Sequence, residues 1–393
     1  MNILTYTSLF PNVMSPQLGV FIYQRMRHVS QRPGINVRVV SPLPFFPRWP
    51  PVRRWQKYSM VPNQDLRGGL AVSYPKYPLL PGITMPWHGA LMYRGSLREV
   101  VRIHREAPID CIDAHFVYPD GYAALRIGKE LGIPVVVSAR GTDIDVYPKY
   151  GSVRPKIEWT LQNAAGVIAV SNSLKLAMMK MGIGEDKIRV IPNGIDSERF
   201  FPGDMAAARQ KLQIPAEAEV LVSVGNLYPQ KCHGRLISAF ASVCASHPQL
   251  RLYILGEGWL RGALEKQIRA DGLEGKVVLA GPRPNEELQT WFSAANLSCL
   301  ASSREGWPNV VSESLGCGTP VIATNAGGVS EILAKPGLGI VVEQSVGGMR
   351  DGILEGLARS WDRDAIADHS LGRTWTAVAL EVENYLAQSA RRQ

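Results

Sequence analysis

The sequence predicts an α/β protein built from two doubly wound domains, and three observations carry that expectation. At 393 residues the chain is longer than one hydrophobic core organises and long enough for two. Apolar runs of strand length alternate with helical periodicity through the first half, and the alternation restarts at residues 219–224. Between the two series stands Pro192-Asn193-Gly194, which is turn chemistry, followed by a stretch over 201–216 rich in polar and small residues. The expected domains are therefore 1–192 and 193–368, with a final segment 369–393 that carries one amphipathic helix.

Charge divides along the same boundary. Residues 1–195 hold 24 Lys/Arg against 12 Asp/Glu, whereas the remainder holds 19 against 22. The first sixty residues contain eight basic side chains and no acidic one. A basic half can signal nucleic acid, but no RNA- or DNA-binding motif accompanies it, so no nucleic-acid partner is expected. An anionic membrane surface or a phosphate-bearing acceptor suits the asymmetry better. The opening residues have no basic leader, and no apolar run approaches the roughly 20 residues that cross a bilayer. The five cysteines, Cys111, Cys232, Cys244, Cys299 and Cys317, are scattered without a CxxC pair and read as reduced thiols. The expected location is cytoplasmic, with peripheral contact on the inner face of a membrane.

Taken in order, residues 2–7 form the first strand, 8–17 a proline-containing loop, and Gly19 opens a helix over 20–30 with Phe21 and Arg25 on one face. A second strand covers 37–41. Residues 41–62 carry six prolines among Phe45, Phe46, Trp49, Trp55, Arg48, Arg53, Arg54 and Lys57. Prolines this dense exclude a regular helix, and mixed aromatic and cationic side chains suit a membrane headgroup zone. A loop folded back on its own domain is the alternative. A helix over 89–105 leads to a strand over 109–114, and His115 falls at that strand's carboxyl end, where open α/β sheets bind ligands. A helix over 120–131 and a strand over 134–138 precede Arg140-Gly141-Thr142-Asp143-Ile144-Asp145. Asp-x-Asp invites a divalent metal, but no further ligands are evident, and Asp143 serves equally as the cap of the next helix. Helices over 154–164 and 174–181, strands over 166–170 and 187–191, and Ser171 as a helix cap complete the half.

In the second half, the strand 219–224 runs into Gly225-Asn226-Leu227-Tyr228-Pro229-Gln230-Lys231. Strand 251–255 ends in Gly256-Glu257-Gly258, a helix covers 260–271, and 277–280 leads to Gly281-Pro282-Arg283. The densest signal is residues 302–332. An apolar strand over 297–301 gives way to a loop, Pro308 opens a helix, and Gly316-Cys317-Gly318 closes it. Another strand covers 319–324, and Gly327-Gly328 allows a close backbone approach before the next helix. Glu305 precedes the helix and Glu313 lies one turn and more into it. A helix start attracts phosphate, and two carboxylates spaced in this way accept hydroxyl hydrogen bonds at both ends of such a ligand. A nucleotide sugar has that layout. The plainer alternative is an ordinary helix start with two exposed acidic residues.

The run Glu305-Gly306-Trp307-Pro308-Asn309-Val310, with Glu313, Gly318-Thr319-Pro320-Val321-Ile322-Ala323, Gly327-Gly328 and Glu331, resembles the paired-glutamate signature of the retaining family 4 glycosyltransferases (glycosyl transferases group 1). The resemblance implies the GT-B fold: two Rossmann-like domains facing across a cleft, with the last helix crossing back to the amino-terminal domain. It implies that Glu313 holds the donor ribose and that Glu305 approaches the donor sugar. Backbone amides of Gly306, Trp307, Pro308, Asn309 and Val310 would meet hydroxyls and phosphates wherever an N–H exists. Gly19 resembles the glycine of the family's first loop. The 225–231 loop resembles the diphosphate-gripping loop, with Lys231 matching and Asn226 standing where the family has arginine. Arg283 falls where the family cradles the base. Arg140 stands where the family commonly has histidine beside the reacting sugar, which leaves His115, Arg140 and Asp143 as the acceptor-side candidates.

These readings combine into a retaining, metal-independent hexosyltransferase. It would move a sugar from a nucleotide-diphosphate sugar to a glycan or lipid-linked acceptor in cell-surface polysaccharide or glycolipid biosynthesis. Lys231, Glu305 and His115 are the expected catalytic residues, and no cofactor is expected beyond the donor itself. A nucleotide-sugar epimerase of related fold and a catalytically idle nucleotide-sugar-binding subunit are the alternatives.

Overall fold

The structure is a computed structural model that describes residues 1–45, 58–80 and 84–391. It divides into two compact units, Met1–Gly194 with Trp375–Gln393, and Ile195–Thr374. The aromatic and arginine-rich run to which the membrane expectation attached falls largely on residues 46–57, outside the described residues.

Among the described residues of the first unit there are ten strands: β1 (Asn2–Tyr6), β2 (Asn36–Val40), β3 (Leu43–Phe45), β4 (Gln64–Arg67), β5 (Leu70–Ser73), β6 (Lys76–Pro78), β7 (Cys111–His115), β8 (Val135–Ala139), β9 (Gly166–Ala169) and β10 (Ile188–Val190). Eight of them form a sheet in the order β10-β9-β8-β7-β1-β2-β5-β4, while β3 and β6 pair separately. All neighbours are parallel except the edge hairpin of β4 and β5. Gly68 and Gly69 turn that hairpin at φ 53° and 85°, a conformation only glycine adopts without penalty. The central strands β7, β8 and β9 are buried along their whole length, as parallel strands covered on both faces must be.

The last helix, Trp375–Ala390, belongs to this first unit, and Trp375, Val378, Val382, Tyr385 and Leu386 are its buried face. They join Ile22, Met26 and Val29 of helix Val20–Ser30 in one apolar cluster. The Tyr385 hydroxyl donates to the Lys187 carbonyl at 2.8 Å. Within the expected tail segment, 369–393, residues 369–371 close a separate helix, so the tail helix itself starts at Trp375. Asp362 caps helix Arg363–Leu371 by accepting from the Ala365 amide at 3.0 Å, and that helix stays with the second unit.

The second unit holds a six-stranded, wholly parallel sheet of β11 (Glu219–Val224), β12 (Leu250–Leu255), β13 (Val277–Gly281), β14 (Leu297–Leu300), β15 (Val321–Thr324) and β16 (Gly339–Val342). Its order is β13-β12-β11-β14-β15-β16. The chain reverses its direction of travel across the sheet between β11 and β14. In the first unit the same reversal falls between β1 and β7. Loops leaving the carboxyl ends of such strand pairs diverge and open a crevice, which is where doubly wound sheets bind ligands.

Candidate active site

Lys231 and Glu305 leave the two strands that flank the reversal of the second unit, the first after β11 and the second after β14. Their side chains meet: Lys231 Nζ lies 2.6 Å from Glu305 Oε1. The loops that carry them are tied by backbone as well, since the Ser303 amide donates to the Gln230 carbonyl at 2.8 Å. Gly327, at φ 54°, supports the acidic loop from behind. A Cβ there would sit 1.8 Å from the Glu305 carbonyl oxygen, so only glycine fits, and the Gly328 amide donates to the Gly306 carbonyl at 3.1 Å.

Helix Asn309–Gly316 starts directly after this loop. Pro308 is its cap rather than its first residue, because ψ of 91° keeps it extended. Val311 and Leu315 are buried against β14 and β15, and Gly318 takes the left-handed turn at φ 72°. The helix therefore aims its amino end at the crevice. Glu313, one turn in, makes no side-chain hydrogen bond with any described residue. Burial pushes its carboxyl up to about 7, with Arg199 pulling it down and Asp196 pushing it further up. A carboxylate desolvated in this way favours a hydroxyl donor in its vicinity. Asn226 is exposed, and Arg283 lies 3.9 Å from Glu287 with its guanidinium over the Trp291 ring.

The acceptor-side candidates gather in the first unit. His115 ends β7, with Nε2 3.1 Å from Asp113 Oδ2 and Nδ1 in contact with the Arg140 guanidinium. Arg140 also donates to Asn193 Oδ1 at 3.1 Å, and its guanidinium lies over the Phe21 ring. Arg25 donates to Ser138 at 3.3 Å in the same interior. Burial, together with Arg140 and Arg25, holds His115 down to about 4 against the pull of Asp113, so the imidazole is neutral at neutral pH. Burial would raise Asp113, but His115, Arg25 and Arg140 outweigh it and hold the carboxylate at about 2. Burial lowers Arg140 to about 9, with Arg25 adding to the effect.

Asp143 is the second residue of the short helix Thr142–Asp145 and so is not its cap. Its carboxylate accepts from the amides of Val117, Arg140 and Gly141 at 2.8, 3.0 and 2.8 Å. Among the described residues no group of three His, Cys, Asp or Glu side chains is placed to hold a metal ion. Gly19 is the left-handed cap of helix Val20–Ser30, at φ 65°, and a Cβ there would lie 2.1 Å from the Leu9 carbonyl oxygen.

The family profile described as Glycosyl transferases group 1 matches residues 204–365, and the one described as Glycosyltransferase Family 4 matches residues 19–199. TuaC of Bacillus subtilis, assigned as a teichuronic acid biosynthesis glycosyltransferase, is 31% identical over 85% of this chain and 84% of its own. The chain belongs to the family 4 glycosyltransferases. A D-inositol 3-phosphate glycosyltransferase of Acidothermus cellulolyticus is 32% identical to this glycosyltransferase over 83% of this chain and 74% of its own. Sucrose-phosphate synthase of Thermosynechococcus elongatus superposes with a TM-score of 0.80 at 18% identity, covering 100% of this chain and 99% of that one. Anabaena HepE in complex with UDP and glucose does so at 0.73 and 19%, covering 98% and 99%. Those likenesses show the fold, GT-B.

Four further residues of this glycosyltransferase stand at the two crevices. Asp113 was legible, because period two on a strand puts it on the same face as His115. Arg25 was placed on a helix face with Phe21, and that face is the one turned to Arg140. Asp120 follows β7 on the turn Val117–Gly121, accepts from the Ser8 amide and is raised to about 7 by burial. Neither Asp120 nor Arg199 carries a spacing signal, since only the tertiary fold brings them to their loops.

Proposed function

We propose that this glycosyltransferase transfers a hexosyl group, with retention at the anomeric carbon, from a nucleotide-diphosphate sugar to a glycan or lipid-linked acceptor in cell-surface polysaccharide or glycolipid synthesis. The observation that carries the reading is the Lys231–Glu305 pair, set at the strand reversal of the second unit beside the amino end of helix Asn309–Gly316. Lys231 and that helix end offer positive charge where a diphosphate leaving group develops negative charge. Glu305 accepts from hydroxyls of the donor sugar, and Glu313 accepts from those of the ribose. No ion is required in this account, since the lysine and the backbone amides neutralise the departing phosphate. The acceptor proton passes to the leaving phosphate oxygen on the same face, which preserves the anomeric configuration.

UDP and glucose in the HepE complex support a hexose donor of the same class, and the teichuronic acid biosynthesis assignment of TuaC supports a polysaccharide acceptor. His115, Arg140 and Asp143 shape the acceptor side, with His115 acting as a neutral hydrogen-bonding group rather than a proton carrier. The basic first unit suits work at the inner face of an anionic membrane. No helix among the described residues is long and apolar enough to cross one.

A thermal-shift screen over UDP-, GDP- and ADP-sugars tests the donor assignment, and one class should raise the melting temperature. Product analysis by NMR then reads the anomeric configuration, where an inverted product would end the retaining reading. Flotation with anionic vesicles tests the membrane reading; protein that stays with the soluble fraction at low salt would remove it.

A further inference from the structure

We propose that the groove between helix His88–Glu106 and the edge formed by Asn63, Pro75 and Lys76 binds an anionic glycan chain, one that carries carboxylates or phosphates along its length. The inference takes the class of ligand from the polysaccharide acceptor proposed above, and takes the site from the groove alone.

The groove has a volume of about 840 Å³, and its charged lining is Lys76, Arg98, Arg102 and Arg105 against Glu99 and Glu106. Both carboxylates are already neutralised, Glu99 by Arg102 at 2.7 Å and Glu106 by Arg38 at 2.7 Å. Lys76 Nζ donates to the carbonyls of Tyr58 and Val61 at 3.1 and 3.2 Å, which fixes one wall. Gly95 fixes the other: a Cβ there would lie 2.6 Å from Tyr77 Cβ, so the helix is pressed onto β6. Arg98 and Arg105 are exposed and make no ion pair or hydrogen bond with any described residue. Two guanidinium groups without a counterion in a concave surface attract anions, because the protein walls concentrate their field.

Arg98 and Arg105 share one face of the helix two turns apart, with their Cα atoms separated by about 10 Å. Arg102, between them, is held by Glu99 and Glu106. A chain that repeats its anions at intervals suits that spacing; a single phosphate does not. No aromatic side chain lines the groove, so the bases of a nucleic acid would find nothing to stack on. An anionic bilayer fits poorly as well. The groove is concave, and between residues 88 and 106 the helix exposes no large hydrophobic side chain to enter the interface. The groove also runs away from the crevice of the first unit. Arg105 lies at the end of the helix that leads into Pro108, whose carbonyl accepts from the Asn2 side chain at 2.8 Å where β1 begins. The crevice opens at the opposite, carboxyl ends of β1 and β7. A glycan held in the groove stays with the protein between transfers, which raises its effective concentration at the crevice.

The test compares the wild-type chain with the double variants Arg98→Ala with Arg105→Ala and Arg98→Lys with Arg105→Lys. Hexagalacturonate and neutral maltohexaose are titrated by calorimetry, and phosphatidylglycerol vesicles by flotation. The wild type should bind hexagalacturonate, more weakly as salt rises, and leave maltohexaose unbound. The alanine pair should weaken the hexamer by about tenfold, as two exposed ion pairs lost together. The lysine pair keeps both charges and should stay within about threefold of wild type. Binding of UDP, GDP and ADP should be unmoved in both, because neither arginine belongs to the donor site. A wild type that binds no hexagalacturonate, or an alanine pair that binds it equally well, would overturn the site. So would vesicle binding that falls in the alanine pair while hexagalacturonate stays unmoved, which would give this face to a membrane. A chain that binds the hexamer through these arginines yet transfers sugar to no polysaccharide would remove the acceptor reading and leave the site standing.

Discussion

Glu313→Gln should stabilise the protein and disable it, and only above a certain pH. The carboxyl rises from 4.5 to about 7 because ionising it in a buried position is costly. Its folded value therefore lies above its unfolded one. The penalty is absent below the unfolded value, grows through the interval, and is complete above the folded value. One unit corresponds to about 1.4 kcal/mol, so the ceiling is roughly 3 kcal/mol. Glu313 keeps partial contact with solvent, and screening lowers the figure to about 1–2 kcal/mol. Glutamine keeps the shape without the charge. For a unit of this size that is roughly 3–6 °C of melting temperature at pH 8, and close to nothing at pH 4. Scanning calorimetry of both proteins at the two pH values reads the difference. The same substitution should weaken nucleotide-sugar binding by about tenfold or more, because a charged acceptor facing a ribose hydroxyl contributes about 1.5–3 kcal/mol. An equal gain at both pH values, or no gain at pH 8, would refute the reasoning.

Gly327→Ala places a methyl group on the Glu305 carbonyl at a left-handed residue, and should cost about 2 kcal/mol or more in urea unfolding together with donor binding. Wild-type stability in that variant would show that the acidic loop is not held from behind. Glu305→Gln frees Lys231 from its counterion, so pyrophosphate should bind several-fold more tightly even as sugar transfer falls; weaker pyrophosphate binding would sink this account of the pair. Asp113→Asn removes a buried carboxylate whose charge offsets His115, Arg25 and Arg140, and should destabilise the first unit by about 3 kcal/mol at pH 7. Because Asp113 is held at about 2, its contribution is present above its unfolded value of 3.8 and fades as pH falls toward 2. The penalty should therefore shrink in denaturation at pH 3, and a penalty that does not shrink would point to packing alone.

Much of this was legible in the chain because parallel strands announce themselves. The expected strand over 219–224 coincides with β11, and helix 20–30 with its own observed range, since continuous apolar runs and a clear 3.6-residue period leave little choice. Elements governed by other rules escaped. Hairpin β4–β5 is two four-residue runs, too short for a period to show, although Gly68-Gly69 is itself a hairpin signal. The break at 372–374 within one apolar stretch follows from which unit each half packs against, which no local pattern records. At the site, the residue types of Glu305, Glu313 and Lys231 were readable from their motifs. Their arrangement was not: the Lys231–Glu305 contact spans 74 positions of sequence. The burial of His115, Arg140 and Asp143 likewise depends on partners from several strands. It turns Asp143 from a helix cap into an acceptor of three amides.

The most direct measurement is a crystal structure of the chain soaked with the nucleotide sugar that gives the largest thermal shift. The diphosphate should lie between Lys231 and the amino end of helix Asn309–Gly316, with the ribose hydroxyls on Glu313 and the sugar hydroxyls on Glu305. Density for the nucleotide elsewhere, with Lys231 and Glu305 still paired at 2.6 Å, would contradict the account.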